Sequence, residues 1–291
     1  MPDIAKINAV AIADIEKVDG ILAANIEKVD GLVFASAPVA APAAAYSVRL
    51  LDTAVGVPTY TGSAMRVRED GTNTETDIGF DGSGNLDTAA IAAHCGSNNG
   101  FVRYWYDQSG NTRDAGQATA GSQPKIYNGT AVITENGKPA LQLSGTQNLD
   151  FTTVTLETNW AIITVNHTSV TGANNTYMGN SGASRPVWNE RANSELDVRL
   201  ASTNITLPNF ITFDQHLIVM NSSSNTVTAS SNSTLTNVGS KTGSWAWNRL
   251  FKYVFSGYSG FSQEIIMYQS DQSSNRTGIE TNINDYFDIY T

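Results

Sequence analysis

The amino-acid sequence predicts an all-β protein, a β-sandwich that follows a short N-terminal repeat segment and ends in a helix. Three observations carry this reading. Short alternating or apolar runs recur from Tyr46 onward, among them Ser47–Leu51, Ala64–Arg68, Phe101–Tyr106, Trp160–Asn166, Phe210–Asn221 and Gly260–Tyr268. Turn-rich stretches such as Asp81-Gly-Ser-Gly-Asn85, Glu135-Asn-Gly137 and Gly172-Ala-Asn-Asn175 separate them. Charged residues make up only 15% of the 291 residues, so the polarity comes from Ser, Thr, Asn and Gly, the residues of turns.

Two segments read as helices. Asp87-Thr-Ala-Ala-Ile-Ala-Ala-His94 has an Asp start signal and Gly96 as its stop. Near the end, Ile279, Ile283 and Phe287 recur at helical spacing, with Asp271 or Ser273 as the expected cap. That stripe is expected to lie against the sandwich.

The first 34 residues hold a repeat. Ile4-Ala-Lys-Ile-Asn-Ala-Val10 recurs as Ile15-Glu-Lys-Val-Asp-Gly-Ile21 and Ile26-Glu-Lys-Val-Asp-Gly-Leu32, with a period of 11. The 3-4-4 spacing of its apolar residues suits a right-handed helical coil. The Asp19-Gly20 and Asp30-Gly31 turn signals instead favour strand-turn-strand units, because glycine in mid-helix costs about 1 kcal/mol. A single unit cannot bury its own apolar side, so the repeat points to self-association or attachment through Ile4, Lys6, Ile7, Ile15, Lys17, Val18, Ile26, Lys28 and Val29. Pro38 and Pro42 make the Ala-rich stretch 35–45 a semi-extended linker, giving 1–34 as repeat, 35–45 as linker and 46–291 as sandwich.

Composition sets further bounds. A net charge of −10 opposes sequence-independent binding to nucleic acid. No apolar run approaches the ~18 residues of a membrane span, and no export signal is recognisable. Cys95 is the sole cysteine, so no intrachain disulfide forms. His94, His167 and His216 show no metal-ligand spacing, and no cofactor is expected. The Asn-x-Ser/Thr sequons at Asn128, Asn166, Asn174, Asn204, Asn221, Asn232 and Asn275 read as chance products of an Asn/Ser/Thr-rich chain.

The order Ala45-Tyr-Ser-Val-Arg-Leu-Leu51, Ala64-Met-Arg-Val-Arg68, Thr76-Asp-Ile-Gly-Phe80, Leu86-Asp-Thr-Ala89, Trp105-Tyr-Asp-Gln-Ser-Gly-Asn111, Gln123-Pro-Lys-Ile126 and Asn136-Gly-Lys-Pro-Ala140 resembles the start of the α-L-arabinofuranosidase B catalytic domain. That domain is a concanavalin A-like (jelly-roll) sandwich. The same order resembles lectin-like proteins of marine phages and bacteria, in whose phage members an 11-residue Ile-x-Lys-Val-x-Gly repeat precedes the domain. The tail from Gln263 to Tyr290 is similar to laminin-G-like phage proteins. These resemblances imply a virion structural protein displayed on a phage particle, a capsid decoration or head-fibre protein anchored by its repeat. They imply synthesis in the host cytoplasm, a major capsid or other virion protein as partner, and homo-oligomerisation, with a trimer as the guess. A tail-fibre or receptor-binding protein recognising host surface carbohydrate is one alternative, and an arabinofuranosidase-like hydrolase another.

Hydrolysis of a glycosidic bond with retention needs two carboxyl groups about 5 Å apart. Candidates in the stretch outside the resemblance are Glu190, Glu195, Asp197 and Asp214, of which Trp188-Asn-Glu190 sets an aromatic beside a carboxylate. The arabinofuranosidase pocket carries an adjacent Cys-Cys pair that Cys95 cannot supply, so no catalytic residue is carried over and a non-enzyme is expected. The resemblance gives Asp77 and Asp107 as starts of tight loops, where Asx-type turns are expected. Ser109 lacks a nucleophile-elbow pattern. Trp105, Trp160, Trp245 and Trp247 lie in or beside strands, where core packing is the default. Trp245 and Trp247 share one strand face and become the first candidates for a carbohydrate platform if that face is solvated.

Overall fold

The last strand, Ser259–Tyr268, organises the molecule. In the computed structural model it pairs with Trp160–Thr168 along one side, while Leu141–Ser144 and Ala44–Ser47 divide its other side between them. The structure describes residues 38–169, 175–182, 186–191, 193–199, 204–253 and 256–291, together with short strands inside 1–37.

Around the last strand runs a first sheet. On one flank it continues through Lys125–Asn128, Asn99–Trp105, Met65–Glu69 and Glu75–Ile78, and on the other through His216–Ser223, Thr226–Ser231 and Thr234–Ser240. A second sheet holds Leu149–Leu156, Trp245–Leu250, Asn175–Gly179, Val187–Arg191, Glu195–Arg199 and Asn204–Leu207. The short strand Ala115–Gly116 pairs with both sheets and joins them into one nearly closed, antiparallel sandwich. This is the all-β architecture that the alternating runs predict.

A column of rings fills the space between the sheets. Phe151, Tyr46, Trp105, Phe251, Tyr177 and Trp188 follow one another with centroids 5.7–6.5 Å apart. Trp105 and Trp188 have no solvent exposure. Tight backbone approaches let the column close. A Cβ on Gly260 (φ +151) would lie 2.1 Å from the His167 carbonyl oxygen, so only glycine serves there.

Helix α1 (Thr88–Cys95) starts at Asp87, whose carboxylate accepts from the Ala90 amide, and stops at Gly96, as the sequence indicates. Helix α2 (Arg276–Phe287) buries Ile279, Ile283 and Phe287 as expected. Its N-terminal cap is Asn275 rather than Asp271 or Ser273. Asp271 is engaged elsewhere, accepting from the Ser273 amide and from Asn221 Nδ2.

The sandwich also begins earlier than the composition suggests. Ala44–Ser47 is already a strand, so residues 43–45 belong to the core and not to the linker. Asp107 fixes them: its Oδ1 accepts from the Ala45 amide, and the Arg113 guanidinium donates to the Ala43 carbonyl at 2.6 Å. Further along, Arg49 forms a two-pronged ion pair with Glu264 at 2.8 and 3.0 Å, and Ser47 donates to the same carboxylate. The guanidinium lies 5.5 Å from the Tyr286 ring centroid and 5.9 Å from that of Phe287. One buried contact thus ties the first strand of the sandwich, its last strand and α2.

In the repeat segment, three two-residue hairpins appear with one register: Lys6↔Ala11, Lys17↔Leu22 and Lys28↔Val33. This is the strand-turn-strand form rather than the coil. Ile4, Ile15 and Ile26 lie outside the described residues.

Replacing Glu264 by Ala leaves a buried guanidinium uncompensated, which typically costs about 3–5 kcal/mol. The midpoint of denaturant unfolding is expected to fall accordingly. A second expectation concerns Glu69, whose carboxylate accepts from the Gly71, Thr72 and Thr74 amides and from Asn98. The Thr72 hydroxyl and these amides hold its pKa well below the ordinary value. A carboxylate depressed in the folded state stabilises fully above its unfolded pKa of about 4.3 and loses that contribution as pH falls further. The stability gap between the protein and Glu69→Gln is therefore expected to be constant above about pH 5 and to shrink in more acidic solution.

Candidate functional site

Four polar side chains meet between the two sheets. Asn166 comes from Trp160–Thr168 and His216 opens the neighbouring strand, where the two are register partners. Glu190 faces them from Val187–Arg191 in the second sheet, and Tyr258 stands just before the last strand. Asn166, His216, Glu190 and Tyr258 are all fully buried.

A buried carboxylate is costly unless charge and hydrogen bonds compensate it. Here Asn166 Nδ2 donates to Glu190 Oε1 at 2.7 Å, and the Tyr258 hydroxyl donates to Oε2 at 2.8 Å. His216 Nε2 lies 3.6 Å from Oε1. The Asp214 carbonyl can only accept, so the 3.0 Å contact puts a proton on His216 Nδ1. Its Nε2 is then free either to carry a proton toward Glu190 or to accept from Asn166 Nδ2, 3.2 Å away. Burial, then the Glu190 charge, pushes the Tyr258 phenol well above its ordinary pKa, which keeps its proton in place for donation. The cluster is backed by rings: Tyr177 lies edge-on to Tyr258 at 4.9 Å and bonds Ser262 through its hydroxyl. Phe251, the next ring, takes a left-handed backbone (φ +67), a strained state for a bulky residue.

The other carboxylate candidates fall elsewhere. Asp197 pairs in register with Asn189 and Glu195 with Arg191, so both lie on the strand face opposite Glu190. Arg191 holds both, and Arg199 binds Asp197 as well. The Asp214 side chain is exposed and meets the cluster only through its backbone carbonyl. Trp188 is a buried neighbour of Tyr177 rather than an open sugar platform.

Trp245 and Trp247 require a correction: they are 2% and 1% exposed, so their shared face looks into the core and cannot stack on a saccharide. Trp160 sets its ring edge-on against Trp245 at 5.5 Å, which accounts for the inward face. Asp107 does start an Asx-type turn, accepting from the Ser109 amide and hydroxyl and from the Arg113 amide. Asp77 does not. It takes a two-pronged contact from Arg66 at 2.7 and 2.8 Å and a hydrogen bond from the Tyr106 hydroxyl. Cys95 is a buried free thiol, and no three of His, Cys, Asp or Glu converge as a metal site among the described residues. Burial of Asn166 and Asn221 closes those two sequons to glycan attachment.

No protein-family model matches this chain, and no curated protein matches it by sequence. Solved structures do match. An arabinofuranosidase complexed with arabinofuranosyl-α-1,2-xylobiose superposes with a TM-score of 0.63 at 14% identity, over 83% of this chain and 62% of that one. A GH54 α-L-arabinofuranosidase soaked with a cyclic sulfate inhibitor gives 0.61 at 15% identity, over the same shares of each chain. A Glu-to-Gln mutant of GH54 α-L-arabinofuranosidase soaked with 4-nitrophenyl α-L-arabinofuranoside gives 0.60. The chain shares its fold with arabinofuranosidases. It spans 62% of their length, and at this identity the likeness is one of fold.

These matches correct two expectations. The reading as a phage capsid decoration or head-fibre protein is overturned by the fold shared with these arabinofuranosidases. The expectation of a non-enzyme falls with it. Of the three resemblances drawn from sequence, the one to arabinofuranosidase is supported.

Of the cluster, sequence reasoning reached Glu190 but not its partners. A signal was present in Asn166, a polar residue closing the mostly apolar run Trp160–Val165. Removing one donor tests the cluster. Tyr258→Phe leaves Oε2 of a buried carboxylate short of a partner and is expected to cost about 1–3 kcal/mol in chemical denaturation.

Proposed function

We propose that this protein is a glycoside hydrolase of arabinofuranosidase type, with Glu190 as its central carboxylate, on a concanavalin A-like (jelly-roll) sandwich. The observation that carries the proposal is the buried Glu190 carboxylate itself, held by side chains from three separate stretches of chain. Such a group is costly to bury, and a glycosidase needs an oriented carboxylate against an oxocarbenium-like transition state. The arabinofuranosidase fold supports the same reading.

In this reading Glu190 is the carboxylate set opposite the developing cation. Asn166 and Tyr258 fix the two oxygens, so little reorganisation accompanies the reaction. His216 stands beside Oε1 as a proton carrier. Because Glu190 is closed off from solvent, turnover requires the surrounding strands and loops to open to a sugar.

The direct test is release of 4-nitrophenol from 4-nitrophenyl α-L-arabinofuranoside. Turnover by the protein and a loss of about 10³-fold or more in Glu190→Gln, at unchanged circular dichroism, is the expected result. An inactive wild-type protein sinks the proposal.

The repeat 1–34 we read as a self-association element, supported by its three hairpins of one register. Deleting residues 1–34 is then expected to lower the particle mass in light scattering from an oligomer to one chain.

A further inference from the structure

The outer face of the first sheet carries a feature that neither the core nor Glu190 explains. Tyr104 and Tyr106 lie there with parallel rings, centroids 6.1 Å apart and planes 7° apart, both half-buried. The strand Asn99–Trp105 reaches this arrangement through an irregularity. Its register against Met65–Glu69 slips between Val102 and Tyr104, so Arg103 is an extra residue. Such bulges re-aim side chains and recur beside binding sites. The bulge lets Trp105 point into the core while Tyr104 and Arg103 both stay on the outside.

The surroundings are polar and planar. Arg103 lays its guanidinium 4.4 Å from the Tyr104 centroid, and Arg66 stands 5.9 Å from it. Asp77 holds Arg66 and the Tyr106 hydroxyl. Gly116 leaves room for Tyr104, since a Cβ there would meet the ring at 2.5 Å. The Arg103 fork is the open member: it donates no hydrogen bond to a described residue, and its one ion pair, to Glu75, is 3.8 Å long. Beyond it, Lys125 and the buried Arg68 sit over Phe101, while Asp114 joins Asp77 as a charge acting on Tyr106.

We propose that this face is a binding site for an acidic saccharide, a chain of uronic-acid type. Tyrosine rings pack against the C–H face of a sugar, and a guanidinium fork held by one long ion pair of 3.8 Å suits a carboxylate in two-pronged contact. A neutral saccharide offers the Arg103 fork no carboxylate, and nucleic acid is disfavoured by the overall charge. The site is independent of Glu190.

The test is calorimetric titration of the full chain with trigalacturonate and, for comparison, a neutral arabinotriose. Binding of trigalacturonate that weakens with salt, and falls about tenfold or more in both Arg103→Gln and Tyr104→Ala, is expected. Glu75→Gln releases the fork from its one carboxylate, so its affinity is expected to rise. Circular dichroism and unfolding midpoints confirm that each variant is folded, and Glu190→Gln is expected to bind as the parent does. No binding by the parent, equal binding of the neutral sugar, or undiminished affinity in a folded Arg103→Gln overturns the proposal. Loss of hydrolysis in Glu190→Gln has no bearing on it, so the two readings fail separately.

Discussion

The sandwich depends on the strand Ser259–Tyr268. It hydrogen-bonds side by side with strands from the beginning and the middle of the sandwich's stretch of chain. Its side chains extend that role. Glu264 neutralises Arg49, Ser262 meets the Tyr177 hydroxyl, and Gln263 Nε2 lies within reach of the Glu135, Lys138 and Pro139 carbonyls. A strand buried on both faces can carry these polar residues only because each finds a partner fixed by another strand. Removing any one partner exposes a desolvated group rather than a neutral gap.

The same constraint explains where chemistry can reside. Glu190 sits at the inter-sheet end of this network, two residues from Trp188 and across from Asn166. Its donors Asn166 and Tyr258 come from outside its own sheet, so it becomes an oriented group only when the sandwich closes. The aromatic column from Phe151 to Trp188 sets the spacing of the sheets and shields the cluster from water, strengthening each electrostatic contact within it. Fold and site are therefore held by one set of contacts, which suits the fold-level likeness to arabinofuranosidases at 14–15% identity.

Several errors of sequence reading share one cause. Trp245 and Trp247 alternate correctly for one strand face, yet alternation does not say which face meets the other sheet. Glu190, Glu195 and Asp197 are close in sequence, but one register pairing sends Glu190 to one face and the other two to the opposite one. Asp77 sits where a loop start looked plausible, and the neighbouring strand supplies Arg66 instead. In each case the missing information was the identity of a residue across a sheet.

Local chemistry made legible in the sequence the all-β class, the stripe of α2, the stop at Gly96 and the preference of the repeat for strand-turn-strand units. Side-chain periodicity and turn propensity act over a few residues and can be read directly. Tertiary structure alone decided that residues 43–45 join the core, that Asn166, His216 and Tyr258 converge on Glu190, and that Tyr104 and Tyr106 lie parallel outside it. Those outcomes depend on strand order and register. Pairing across long loops fixes these, and local sequence does not encode it.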